Sequence, residues 1–98
     1  MYIYNVTLNM DAAIAEEWLH WMKTQHVPDV LKTGCFVGNQ IVKILGNDEG
    51  ATYSVQYTFK TMEDYDRYKA EHAPALQKEH TEKFSGKFAA FRTLLQIV

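Results

Sequence analysis

The sequence predicts an α+β fold in which the elements follow the order strand, helix, strand, strand, helix, strand. Segments that alternate apolar and polar residues indicate the strands, and segments with apolar residues at helical spacing indicate the helices. A third observation is a repeat, since KTQHVPDVLK at residues 23–32 returns as KAEHAPALQK at residues 69–78. The repeat indicates two similar halves, and either common ancestry or common geometry would explain it.

The first half begins with a strand over residues 2–10, in which every second residue is apolar. Asp11 is a good N-cap for the helix that follows. The apolar side of this helix comprises Ala15, Trp18, Leu19, Met22 and His26. Because proline disfavours the helical conformation of the residue before it, we expect Pro28 to end the helix near His26.

A β-hairpin is predicted next. Its first arm is a strand over residues 35–45, with a bulge or kink at Gly38, and its second arm is a strand over residues 51–60. GNDEG, residues 46–50, is the strongest turn signal in the chain and joins the two arms.

The second half continues with a helix that Thr61 and Asp64 open as an approximate capping box. Pro74 interrupts or kinks this helix, which then continues to Phe84. The last strand, KFAAFRTLLQIV at residues 87–98, has apolar residues on both faces. We therefore expect it to be buried on both sides.

This order of elements is that of a ferredoxin-like βαββαβ domain, which we expect to span residues 1–98 as one domain. Its four strands form an antiparallel sheet with both helices on one face, and each His-x-Pro of the repeat marks the end of a helical segment. Ferredoxin-like RNA binders carry aromatic residues on the uncovered face, whereas strands one and three place polar residues there. The pattern argues against RNA binding, and a second copy packing on this face would form a polar seam.

Composition excludes several classes of function. The chain has 10 lysines and arginines, 12 aspartates and glutamates, and no run of like charge that would bind nucleic acid or an anionic membrane. Neither a signal peptide nor an apolar run of membrane-spanning length is expected. The lone Cys35 fits a reducing compartment, so we expect a cytoplasmic protein.

Three histidines are candidate catalytic residues, namely His26, His72 and His80. The C-terminal ends of two antiparallel helices of this length lie roughly 24 Å apart, so one metal ion cannot bind both His26 and His72. Each could instead cap a helix end, where the helix dipole favours a cation. We expect no metal site, and His26 and His80 are either acid–base groups or core histidines.

No cofactor is expected, because the chain lacks a Gly-rich phosphate loop and a haem-attachment motif, although a single axial histidine could hold haem. The candidate ligand-binding residues are Trp18, Tyr57, Tyr65, Tyr68 and Arg92. Aromatic rings between sheet and helices are typical of a small-molecule pocket and also of an ordinary core. Arg92 is predicted to be an interior charge that either pairs across a dimer or binds a substrate carboxylate.

The chain also resembles known families. Segments from YNVTLNMD through HVPDVLKTGCF to AFRTLLQIV resemble, over nearly the whole chain, a family of small uncharacterised bacterial proteins described as a domain of unknown function. More distantly, YTFKTMEDYDRYKAEHAP is similar to the dimeric α+β barrel superfamily, which includes antibiotic-biosynthesis monooxygenase-like proteins. That resemblance implies a homodimer packed sheet against sheet, with ligands between each sheet and its own helices.

Two functional hypotheses follow. The first is a homodimer that binds or turns over a small apolar or aromatic molecule in a pocket between sheet and helices. The second is a non-catalytic dimerisation or interaction module with a filled core. An enclosed cavity in which histidine and tyrosine polar atoms converge would favour the first.

Overall fold

A computed structural model describes residues 1–46 and 51–98, so most of the turn predicted at residues 46–50 lies outside the described residues. The strands are β1 (Tyr2–Met10), β2 (Gly38–Lys43), β3 (Ala51–Phe59) and β4 (Phe88–Gln96). The helices are α1 (Ala15–Trp21), α2 (Val27–Lys32), α3 (Met62–Glu71) and α4 (Ala73–Lys83). All strand pairs are antiparallel, in the spatial order β2-β3-β1-β4, which confirms the predicted ferredoxin-like α+β fold.

The register of the sheet decides which side chains face the helices. Val6 of β1 lies opposite Val55 of β3 on one side and Arg92 of β4 on the other. Tyr4 lies opposite Tyr57 in the same way. These side chains share the face that the helices cover, because alternate residues of a strand point to the same side. The core forms between this face and the helices, with Trp18 and Phe59 fully buried in it.

The first helical stretch does not end at Pro28, and the prediction that it would is wrong. A 3₁₀ turn (Ala12–Ile14) leads into α1, a π-helical segment (Met22–His26) follows, and α2 continues from Val27. In the π-helical segment the Val27 N–H donates to the carbonyl of Met22, five residues earlier. Pro28 is then in the first turn of α2, and the wider π-helical turn before it accommodates a residue without an N–H.

The second helical stretch has a related junction. Thr61 caps α3 as predicted, since its side chain accepts from the Asp64 N–H. His72 lies between α3 and α4 with φ −122°, and Pro74 is in the first turn of α4. In the second half His72 is the C-cap of α3 and the chain continues helically from Ala73, so the prediction that His-x-Pro marks a helix end and that Pro74 interrupts the helix is confirmed there. In the first half the backbone stays helical through His26, and the same prediction is wrong.

Strand β2 is shorter than predicted. It begins at Gly38, and its pairing with β3 runs without interruption from Gly38 opposite Thr58 to Lys43 opposite Tyr53. The predicted bulge or kink at Gly38 is therefore wrong. Cys35 precedes the strand and is buried, as expected of a small apolar residue.

Strand β4 contradicts the prediction of burial on both sides. It is an edge strand, and most of its residues are exposed. Phe91 is 64% exposed and Leu95 is 41% exposed on the face turned away from the helices. The apolar pattern of β4 predicts a core strand, but nothing within the described chain covers this face of it.

The sheet face that no helix covers is here called the open face. It presents Ile3, Asn5, Thr7, Asn9, Gln40, Val42, Thr52, Ser54, Gln56, Thr58, Phe91, Thr93 and Leu95. A hydrogen-bonded row crosses it, in which Gln40 donates to Gln56, Gln56 to Ser54, and Ser54 to Asn5. In the described part of the chain, no helix is both long and apolar enough to cross a membrane.

Candidate functional site

A cavity of about 40 Å³ lies between the sheet and the helices. One water molecule needs roughly 10–15 Å³, so the cavity has room for a few water molecules or for a small part of a ligand. The lining residues are Tyr4, Val6, Leu8, Met22, His26, Val55, Tyr57, Tyr68, Gln77, His80, Phe88, Ala90 and Arg92. Strands β1, β3 and β4 supply one wall, and the two helical stretches supply the other.

Within residues 1–46 and 51–98, two buried polar atoms of this lining have no hydrogen-bond partner. They are Nδ1 of His26 and the hydroxyl oxygen of Tyr57. Most buried polar groups are paired, because an unpaired one costs about 1–3 kcal/mol. Both atoms belong to residues that line the same cavity, so a molecule bound there could satisfy both.

His80 is held by a residue outside the lining. Trp18 is fully buried, and its Nε1–H donates to Nε2 of His80 over 2.9 Å. Because indole nitrogen only donates, Nε2 of His80 has to be unprotonated, and a neutral His80 carries its proton on Nδ1. Burial, followed by the nearby His26 and Arg92, lowers the pKa of His80 to about 4.

His26 owes its position to the π-helical segment. That segment places both Met22 and His26 in the lining, and the Trp21 ring lies 5.1 Å from the His26 ring, between centroids. Burial lowers the pKa of His26 to about 4, against the opposing effect of the Asp29 carboxylate. Both cavity histidines are therefore neutral at neutral pH.

The rings of His26 and His80 lie 5.7 Å apart, between centroids. The sequence repeat relates His26 to His72 instead, because those two share the repeated motif. In residues 1–46 and 51–98, no group of three or more histidine, cysteine, aspartate or glutamate side chains is arranged to hold a metal ion.

The mouth of the cavity is polar. Arg92 Nε donates to the Tyr4 hydroxyl oxygen over 3.0 Å, and Gln77 lines the same cavity. Arg92 is exposed, so the prediction of a buried interior charge is wrong. Its guanidinium extends from the edge strand β4, where the helices leave it open to solvent.

The tyrosine hydroxyls of the cavity stay protonated. Burial raises the pKa of Tyr57 and that of Tyr68, and neighbouring tyrosines raise both further. Burial also raises the pKa of Tyr4, although the Arg92 guanidinium opposes this effect. At neutral pH these groups can donate hydrogen bonds, and they carry no charge.

The structure brings together five of the eight predicted site residues. His26, His80, Tyr57, Tyr68 and Arg92 all line the cavity. The other three predicted residues lie elsewhere: Trp18 behind His80, Tyr65 stacked on Phe59 with centroids 5.5 Å apart, and His72 at the junction between α3 and α4.

Gln77 is a lining residue that the sequence prediction missed. It precedes His80 by three residues on α4, so helical spacing alone puts the two on one face. Attention to polar as well as apolar members of that face would have found it. Tyr4 was assigned to the correct face but not to the candidate site, because only the fold places its hydroxyl beside Arg92.

Comparisons with known proteins bear on the family and the fold. A family model described as a domain of unknown function, DUF4286, matches residues 1–98. The chain belongs to the DUF4286 family. No curated protein matches it in a sequence comparison.

Several solved structures are similar to this DUF4286 chain. A dimeric ferredoxin-like protein from an uncultured marine organism has 12% identity and a TM-score of 0.73, over 99% of this chain and 96% of its own. A variant of MhuD, with two manganese protoporphyrin IX molecules bound per active site, has 15% identity and a TM-score of 0.73. The match covers 100% of this chain and 95% of the MhuD chain. A candidate antibiotic biosynthesis monooxygenase from Nitrosomonas europaea has 10% identity and a TM-score of 0.70, over 100% and 99%.

At these identities the likeness establishes the fold, and function has to be argued from the site. The comparisons confirm the resemblance to both the unknown-function family and the wider ferredoxin-like group.

Proposed function

We propose that this DUF4286 domain is a cytoplasmic homodimer and that each subunit binds a small molecule, largely apolar, in the cavity between its sheet and its helices. The observation that supports the proposal is the pair of unpartnered atoms, His26 Nδ1 and Tyr57 Oη, in residues that line one cavity. A ligand with one hydrogen-bond acceptor for Tyr57 and one group for His26 would satisfy both.

The lining suits such a ligand. Apolar side chains, among them Val6, Leu8 and Val55, form the walls, and the neutral imidazoles and hydroxyls supply a few directed hydrogen bonds. This composition is typical of small-molecule sites. The cavity admits only part of an aromatic ring as it stands, so a ring would have to displace side chains at the exposed mouth, near Arg92.

If the ligand is turned over, His26 and His80 are the proposed acid–base groups. A histidine whose pKa lies near 4 is neutral at neutral pH and can accept a proton there. Trp18 occupies Nε2 of His80 and orients the ring, so the Nδ1–H of His80 can donate a hydrogen bond to a reacting group at a defined position. His72 does not line the cavity, so we assign it no role in proton transfer.

The proposed dimer forms through the open face. The hydrogen-bonded row from Gln40 to Asn5 lies between exposed apolar residues, with Val42 on β2 and Phe91 on β4. Exposed apolar groups of this kind beside polar ones are typical of protein interfaces. The dimeric description of a similar structure supports this arrangement.

Native mass spectrometry of protein purified from its own host would test the proposal. We expect the mass of a dimer and, for each subunit, an added mass that is lost on denaturation. Ala90 lines the cavity, so Ala90→Leu should fill it and abolish the added mass. Ala75→Leu, on the exposed side of α4, is the matched control and should retain it.

The second candidate function is a dimerisation module without a ligand. The small size of the cavity, about 40 Å³, favours it. A dimer that carries no added mass, together with equal behaviour of Ala90→Leu and the wild type, would support this candidate and contradict the binding proposal.

A further inference from the structure

The charges around the cavity have one sign. Among its described lining residues, Arg92 is the only one with a permanent charge, and none is an aspartate or a glutamate. No carboxylate lies within 4.0 Å of the Arg92 guanidinium in residues 1–46 and 51–98. Both lining histidines are neutral at neutral pH, so they neither add to this charge nor offset it.

Arg92 is partly fixed and partly free. Its Nε–H donates to the Tyr4 oxygen, which holds the guanidinium against the mouth of the cavity. Arginine has five N–H donors in a planar fork, and those of the two terminal nitrogens remain for another acceptor. The Tyr4 oxygen accepts from Arg92, so the hydrogen of its own hydroxyl is available to donate.

These donors match the two oxygens of a carboxylate. A planar guanidinium and a neighbouring hydroxyl can each donate to one oxygen, and hydrogen bonds to an ionised acceptor are roughly twice as strong as neutral ones. Behind the mouth, the wall becomes apolar at Val6, Leu8 and Phe88. The limited volume there allows only a short apolar group.

We propose that the ligand of this cavity is a compact carboxylate whose oxygens lie between Arg92 and Tyr4 and whose short apolar part lies against Val6 and Phe88, with a hydrogen-bonding group at its inner end for Tyr57 and His26. This inference rests on the proposed function and names its ligand class. The carboxylate end remains near solvent at the edge of β4, so only the apolar end has to enter the cavity.

The test compares butyrate with its neutral isostere, butyramide, in NMR titrations of the full chain at neutral pH and low salt. Butyrate should bind at least about tenfold more tightly, because hydrogen bonds to charged groups are stronger than neutral ones. Affinity should rise about fourfold for each methylene from acetate to butyrate, as expected for a buried CH₂.

Variants separate Arg92 from general surface charge. Arg92→Gln should lower butyrate affinity about tenfold or more and leave butyramide affinity unchanged. Arg92→Lys should recover part of the loss, because it restores the charge without the fork. Arg67→Gln is the matched control, since Arg67 is an exposed arginine of α3 that pairs with Asp64, and it should bind butyrate like the wild type.

Several outcomes would overturn the inference. The first is equal affinity for butyrate and butyramide. The second is an equal loss of butyrate affinity in Arg92→Gln and Arg67→Gln. The third is displacement of butyrate by inorganic phosphate at a similar concentration. A circular dichroism melt of each variant shows whether it is folded, and Arg92→Lys provides a second comparison if Arg92→Gln is not. A neutral ligand recovered by native mass spectrometry would contradict the carboxylate while supporting the binding proposal.

Discussion

Trp18 donates its indole N–H to Nε2 of His80 over 2.9 Å, and this bond joins the first helical stretch to the second inside the core. Both residues are buried, with 0% and 7% of their surfaces exposed. Because indole cannot accept, the bond fixes the tautomer of His80 and makes Nδ1 the donor that remains. Trp18, predicted as a ligand contact, lies outside the cavity lining and holds the ring of His80 in place.

Replacing Trp18 by Phe should show what the bond contributes. The free energy of unfolding should fall by about 1–3 kcal/mol, because the buried Nε2 of His80 loses its donor. The pKa of His80 should rise from about 4, since a bond to the neutral imidazole opposes its protonation. An NMR titration of the His80 ring would measure the pKa. Trp21→Phe is the control, and equal His80 pKa values in both variants would contradict the assigned role.

A pair of tyrosine variants tests the unpartnered hydroxyl. Tyr57→Phe removes a buried oxygen without a partner, so unfolding free energy should stay the same or rise by about 1 kcal/mol. Tyr4→Phe removes the oxygen that accepts the Arg92 hydrogen bond, so the free energy of unfolding should fall by about 1 kcal/mol. Urea unfolding of the two variants measures the difference. A loss in Tyr57→Phe as large as that in Tyr4→Phe would show that the Tyr57 hydroxyl is already paired.

Stability should fall in mild acid because of the two cavity histidines. Their pKa values are lowered to about 4 in the folded chain, so below pH 6.5 the unfolded chain takes up protons that the folded chain does not. The loss begins near pH 6.5, grows as the pH falls and levels off near pH 4, at roughly 3 kcal/mol for each histidine.

Urea unfolding between pH 7 and pH 4.5 measures this dependence, since the interval covers most of the expected loss. His26→Gln should remove about half of the histidine contribution. His20→Gln replaces an exposed histidine of α1 and should leave the dependence as it is in the wild type. Identical pH dependence in the two variants would contradict the assignment to the cavity.

The open face is the proposed dimer interface, and Phe91 is its most exposed aromatic residue, at 64%. Phe91→Lys places a charge there and should convert the dimer to a monomer, which sedimentation velocity would detect. Met62→Lys, on exposed α3, is the control and should remain dimeric. A dimer that persists in Phe91→Lys would locate the interface elsewhere.

Sequence patterns predicted the sheet well because alternation and capping are local properties. The strand Tyr2–Met10 and the cap at Thr61 agree with the prediction. The predicted helix end near Pro28 is wrong because the rule for proline considers only the residue before it. The π-helical segment that lets the helix continue depends on the hydrogen bonds of the whole turn from Met22 to Val27. The burial predicted for β4 is not met within one chain, because an apolar pattern does not say whether its own chain or a second copy covers it.

The candidate site was predicted only in part, for a related reason. Faces of helices and strands can be read from spacing, and they correctly placed Tyr57 and His80 between the layers. The pairing of His26 with His80 depends on how two helical stretches pack, which no spacing within either stretch encodes. The repeat even directed attention to His72, because sequence similarity between halves is not proximity in the fold.

Along β4, Phe91 and Arg92 are neighbours in sequence and point to opposite faces of the sheet. Strand β4 should therefore accept many single substitutions. It should not accept the insertion or deletion of one residue within the segment that pairs with β1, residues 88–96. Such a shift would turn the guanidinium away from Tyr4 and bring the phenyl ring to the helical side. Length variation among homologues should accordingly be rare within residues 88–96 and more common in the loops that flank them.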